Sequence, residues 1–181
     1  KVSTQAYNAF ASPNHPPLLT MGVDVHRGEV LPPPENPLTL RTGFARDVAV
    51  LTLFPGIHAT VLERVADHSR AILLRGFGEG NVPLNGWPET IARVTERGVT
   101  VVLMSQCRKG AVRAGRYQGS SEAAHAGAVF AGDLTGEAAL VKLMWLLGQG
   151  ADQHTIRAEL LSPLAGECAQ GDQPIPARSP R

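Results

Sequence analysis

Two cysteines in 181 residues cannot make a disulfide scaffold. Cys107 closes an apolar run and Cys168 lies far off in a polar stretch, so the expected compartment is a reducing cytoplasm. An excess of one charge is missing too: 17 Lys and Arg meet 16 Asp and Glu, spread along the chain, for a net charge of +1. Nothing in that distribution argues for nucleic acid or an anionic membrane as a partner. No apolar run nears the roughly 18 residues that cross a bilayer, and no signal-peptide pattern is seen. Nor does a nucleotide motif survive inspection. Gly76-x-Gly78-x-Gly80 departs from G-x-G-x-x-G, Pro83 intrudes before the next helix, and no Gly-Lys-Ser/Thr follows. No His or Cys pair has a tight ligand spacing, which leaves Glu79, Cys107 and His125 a weak metal set and Cys107 with His125 a weak nucleophile and base. A small buried thiol and a satisfied histidine are the plainer readings of the last two. No cofactor or metal is expected.

What is present is a core. Hydrophobic residues make up 43% and charged residues 18%, values of a globular chain with room for one domain and tails. "AFASPNHPPLL" near the start is broken by Pro13, Pro16 and Pro17 and predicts no regular element. "GVDVHRGEVL" (22–31) reads as one strand, and "PPPENP" (32–37) as a stiff extended spacer. From residue 47 the pattern becomes regular. "VAVLTLF" (48–54), "AILL" (71–74) and "VTVVLMSQC" (99–107) are short apolar strands, alternating with helical spacing over 58–67 and 86–98. Residues 120–130 read as a short helix or turn. Thr135 is an N-cap for a helix that is apolar on nearly every side through Leu147, and 152–161 is a last amphipathic helix. The predicted class is α/β: a small flavodoxin-like or Rossmann-like three-layer domain on a short parallel sheet, preceded by an extended linker.

In such sheets ligands bind outside the carboxyl ends of the strands. Pro55-Gly56, Gly76 to Asn81 and Ser105-Gln106-Cys107 all fall at that edge. Glycines admit close backbone approach, while Glu79 and Asn81 offer a carboxylate and an amide within one turn. A carboxylate accepts from an ammonium, and an amide both donates and accepts, which suits an amino acid. A glycine turn with solvated polar residues is the commonplace alternative.

Four stretches in order carry a resemblance: "AFASPNHPPLL", "LFPG", "ILLRGFGEGNVP" and "VTVVLMSQCRKGAV…YQGSSEAAHAGAVFAGDLTGEAALVKLMWLL". Together they resemble the C-terminal domain of bacterial L-asparaginases, nearest the type I cytoplasmic branch, over roughly residues 6–162. The chain divides into three parts: residues 1–46, which read as an extended interdomain connector, the asparaginase-like C-terminal domain over 47–162, and a polar, proline-rich tail over 163–181 that reads as disordered. The resemblance implies an amidohydrolase that splits L-asparagine into L-aspartate and ammonia, with its catalytic threonines in an N-terminal domain. Neither the "TGGT"-like nor the "GTDT"-like mark of that domain occurs here, so no catalytic residue is expected in this chain, and Lys1 reads as the middle of a longer one. By the same resemblance Asn81, Glu79 and Gly80 would complete the substrate site of a neighbouring subunit in a homo-oligomer, although the acid at Glu79 departs from the usual residue. Arg75 and Cys107 match an allosteric asparagine site. The alternative is a stand-alone, non-catalytic module that binds an amino acid or docks a partner.

Overall fold

The apolar runs at 48–54, 71–74 and 99–107 become neighbouring strands. The computed structural model describes residues 1–28 and 37–169. Along the chain it holds β1 (Leu19–Met21), β2 (Val25–Arg27), β3 (Val48–Thr52), α1 (Thr60–Ala66), β4 (Ala71–Gly76), α2 (Trp87–Glu96), β5 (Thr100–Ser105), α3 (Gln118–His125), β6 (Val129–Phe130), α4 (Gly136–Gly148) and α5 (Gln153–Glu159). The main sheet has the order β3-β4-β5-β6, and every pairing in it is parallel. β5 is buried at every residue and β4 at all but Arg75, so both run apolar without alternation. β3 and β6 are the edges, and Val50 of β3 is 48% exposed.

Each crossover steps one strand in the same direction. With the usual right-handed connection this puts α1, α2 and α3 on one face, where they pack against one another. The other face carries Val50, Leu73, Arg75 and Met104, aligned by the register Val50↔Leu73 and Arg75↔Met104. α4 covers that face, packing on β3 and β4. The α/β three-layer class expected from sequence is the one found. In α2 the buried Trp87, Thr90, Ile91 and Val94 trace one helical stripe, opened by a proline in the first turn. In α4 the Thr135 hydroxyl accepts from Ala138 N at 3.3 Å, the cap read from sequence.

Some elements differ from expectation. Residues 22–27 are not part of one strand: β1 and β2 form an antiparallel hairpin turning at Gly22–Asp24, with Leu19 opposite Arg27. Residues 29–31 of that expected strand, and the expected spacer apart from Pro37, lie outside the described residues. β6 emerges inside the stretch read as helix or turn, because α3 ends and Gly127 (φ 96°) turns the chain back to the sheet.

The residues before β3 pack on the domain. Asn14 Nδ2 donates to the Asp133 carbonyl at 2.6 Å, and its Oδ1 accepts from Gly110 N at 2.9 Å. Further along, Trp145 Nε1 donates to the Arg41 carbonyl and Gln149 Nε2 to that of Gly43. Gly43 crosses Gly148 backbone to backbone, so closely that a Cβ on either would strike the other's carbonyl. Residues 163–169, expected as the start of a disordered tail, are also packed. Lys142 of α4, a buried ammonium, donates at 2.6 Å to both Glu167 Oε1 and the Ser162 carbonyl, and Cys168 is 3% exposed. Residues 170–181 lie outside the described residues.

Burial alone would raise the Glu167 carboxyl, but the Lys142 ammonium and the Ala165 and Leu164 amides outweigh it and bring it down from 4.5 to about 2. A carboxyl depressed in the fold stabilises it fully above its unfolded value and loses that contribution as pH falls toward about 2. Glu167→Gln is expected to lower stability at pH 7 by about 2 kcal/mol, and by less at pH 2. Urea unfolding at the two pH values checks this, and an equal loss at both would reject it.

Candidate functional site

After β4 the chain makes a tight turn. Phe77 N donates to the Asn81 carbonyl at 2.9 Å, while Asn81 N and Gly80 N donate back to the Phe77 carbonyl at 2.8 and 3.0 Å. Gly78 and Gly80 hold φ of 47° and 88° in the turn, a region L side chains rarely adopt. A phosphate cradle needs free amides facing a ligand. Here the amides of Phe77, Gly80 and Asn81 are already bonded inside the turn, so the loop displays side chains instead.

Those side chains are Glu79 and Asn81. Both Glu79 oxygens accept from Arg116 Nη1, at 2.9 and 3.0 Å, across a half-exposed pair. Asn81 is half-buried, and its Oδ1 is buried without a hydrogen-bond partner. It lies against the first turn of α3: a Cβ on Gly119 would collide with Asn81 Oδ1 and the Val82 carbonyl. Glycine at 119 is therefore what lets the helix approach the turn.

The neighbouring strand ends are tied by one amide. Gln106 Nε2 donates to the carbonyls of Leu53 and Arg75, at 2.7 and 3.1 Å, linking the ends of β3, β4 and β5. Ser105 Oγ donates to the Gly78 carbonyl and accepts from Cys107 N.

On the α4 side of the sheet lies a cavity of about 470 Å³, with Arg75, Cys107, Arg108, Gly136 and Glu137 in its wall. Arg75 Nη2 donates to the Gln106 carbonyl at 3.2 Å, and its Nε is buried without a partner. The thirteen-residue α4 begins at this wall, so its positive end faces the cavity. Guanidinium groups and a helix start accept a carboxylate, and Glu137 accepts an ammonium. The wall has the polarity of a zwitterion.

The residues picked from sequence thus fall in two places. Glu79, Gly80 and Asn81 share the turn, and Arg75 and Cys107 share the cavity wall. His125 is exposed in the last turn of α3, and among the described residues no His, Cys, Asp and Glu gather in a group that could hold a metal. Ser105 was placed at the ligand-binding edge from its strand end but given no role, and Arg116, Arg108, Glu137 and Gly119 were not picked as site residues.

Residues 47–160 match the family of the glutaminase/asparaginase C-terminal domain. The chain belongs to this family. It is similar to L-asparaginase 1 of Escherichia coli K12, 36% identical over 176 residues that cover 95% of this chain and 52% of that protein. It is also similar to the 60 kDa lysophospholipase of Homo sapiens, 34% identical over 175 residues covering 92% of this chain and 30% of that one. Among solved structures, the thermostable L-asparaginase from Thermococcus kodakarensis superposes with a TM-score of 0.86 at 32% identity, covering 93% of this chain and 52% of that chain. The chain spans about half the length of the L-asparaginases it matches. The family read from the four quoted stretches is the family found, and the alternative of a stand-alone module is not favoured by it.

Gly119→Ala is expected to push Asn81 and Val82 from their places and to destabilise the domain by about 1–3 kcal/mol, the range for an overpacked contact. Thermal unfolding reads the loss. A crystal structure of the variant with Asn81 unmoved would reject the account.

Proposed function

We propose that this chain is the C-terminal, site-completing half of an L-asparaginase, which in the intact protein hydrolyses L-asparagine to L-aspartate and ammonia. One observation carries the reading: Asn81 Oδ1, a buried acceptor without a partner, sits on the turn at the carboxyl end of the sheet. Burying an amide oxygen unbonded is unfavourable, and a shift of the Asn81 side chain away from α3 would offer it to a substrate ammonium or amide.

The reaction adds water to the side-chain amide, breaks its C–N bond and releases the nitrogen as ammonia. It needs a nucleophile and a base that removes its proton. The turn offers neither, since Glu79 is engaged by Arg116 and Asn81 does not titrate. These residues therefore bind and orient: Asn81 and Glu79 recognise the ammonium and carboxylate end, and Gly80 keeps the backbone low enough for contact. The chemistry belongs to residues outside these 181, on the N-terminal half. Kinship with a 60 kDa lysophospholipase fits a domain that serves more than one reaction without performing it.

The turn serves a neighbouring subunit of a homo-oligomer in this reading. Support comes from the outer side of α4, where Val141 is 53% exposed. The cytoplasm is the proposed compartment, because Cys107 is a free and exposed thiol. Among the described residues no helix is long and apolar enough to cross a membrane. The cavity at Arg75 and Cys107 takes L-asparagine or L-aspartate as an effector. The unpartnered, buried Arg75 Nε supports that assignment.

The isolated chain is expected to release no ammonia from L-asparagine, while the full-length protein does. In the latter, Asn81→Ala is expected to raise KM at least tenfold, about 1.4 kcal/mol, with kcat changed far less. Ammonia release by the isolated chain, or an Asn81→Ala enzyme with unchanged KM, would overturn the reading.

A further inference from the structure

The loop from Gln106 to Tyr117 carries Arg108, Lys109, Arg113 and Arg116 and no acid. Cations gathered on one loop attract anions to it. Among the described residues one acid is ion-paired with that loop, and it comes from another part of the chain. It is Glu79, the middle residue of the turn that carries Asn81. Both of its oxygens accept from the same nitrogen, Arg116 Nη1, at 2.9 and 3.0 Å. Arg116 Nε and Nη2 donate to no protein group among the described residues, so most of the guanidinium donors stay open.

The backbone fixes both ends of the pair. The turn is closed between Phe77 and Asn81, and Arg116 stands beside Tyr117, whose carbonyl accepts from Ser121 N at 2.9 Å and Ser120 Oγ at 2.8 Å. The first turn of α3 then meets Asn81 through Gly119. Glu79 and Arg116 are thus held at the edge that presents Asn81. With side-chain exposures of 38% and 68%, the pair is screened by water and adds little to stability. Its contribution at this edge is charge.

Charge is also what separates the two ends of the proposed reaction. L-Asparagine is a zwitterion with no net charge, whereas L-aspartate has a second carboxylate and one negative charge more. A turn beside an uncompensated basic loop would hold the product more tightly than the substrate. We infer that Glu79 is a specificity-determining residue: its carboxylate, kept in place by Arg116, offsets the basic loop and lets the anionic product leave. This rests on the functional reading above, in which the turn borders the place where L-asparagine is split.

The test uses the full-length protein and two constants, KM for L-asparagine and the competitive inhibition constant of L-aspartate. Their ratio reads the preference for substrate over product. Glu79→Gln, similar in shape but uncharged, should tighten L-aspartate about fivefold or more relative to L-asparagine. Arg116→Gln, which leaves the Glu79 charge uncovered, should weaken it about twofold or more. Exchanging the two, Glu79→Arg with Arg116→Glu, should return the ratio to within about twofold of wild type. Added NaCl should shrink both single-variant shifts, because exposed charges are screened. A merely structural pair would move both single variants in the same direction and ignore the salt. An unmoved ratio in Glu79→Gln, or shifts of one sign in both single variants, would overturn the inference alone, provided that the wild type hydrolyses L-asparagine. A wild type that releases no ammonia would overturn the asparaginase reading, and this inference with it.

Discussion

The parallel pairing of β4 with β5 is the constraint on which the rest depends. Six residue pairs, from Ala71↔Thr100 to Gly76↔Ser105, run through the middle of the domain. They are buried on both faces, apart from Arg75, so a slip of register would turn apolar side chains and their packing over together. The pairing sets the two strand ends side by side. It therefore decides that Arg75 and Met104 share one face, and that the Gly78 carbonyl falls within reach of Ser105.

The fold shows how one sheet serves two purposes. Helices α1 to α3 close one face, and α3 brings its first turn against Asn81. The opposite face is closed by α4, whose start supplies part of the cavity wall. No backbone strain outside glycine is needed anywhere among the described residues, since every positive φ there belongs to a glycine. Geometry at the turn is set by glycine and hydrogen bonds, and its charged pair, Glu79 with Arg116, stays near the surface.

Much of this was legible in the sequence, for a physical reason. Strands buried on both sides read as unbroken apolar runs, and 48–54, 71–74 and 99–107 stand out by that mark. Thr135 and Gly98 punctuate helices through local chemistry alone. β6 did not stand out, because a strand of two residues has no period to detect. The turn at Gly22–Asp24 and β2 were read as one strand over 22–31 because the alternation in "GVDVHR" runs straight through that turn, and β1 before it was missed. The tail was read as loose from its polar composition, yet Glu167 and Cys168 are held by a lysine on α4 that no local window includes. At the site, the glycines and Asn81 were readable from chain-local logic. The partners of Arg116 and Ser105 were not, since they lie 37 and 27 residues away, although the strand end already put Ser105 at the binding edge.

The crossing of Gly43 over Gly148 has a mechanical meaning. Backbone against backbone leaves no side chain to yield, and the Gln149 and Trp145 hydrogen bonds brace the crossing on either side. Residues 41–45 therefore cannot slide along α4. They act as a bolt through the far end of a rod about 20 Å long, at 1.5 Å per residue over thirteen residues. The same rod begins at the cavity wall beside Arg75, so one helix ties the chain that enters β3 to the mouth of that cavity.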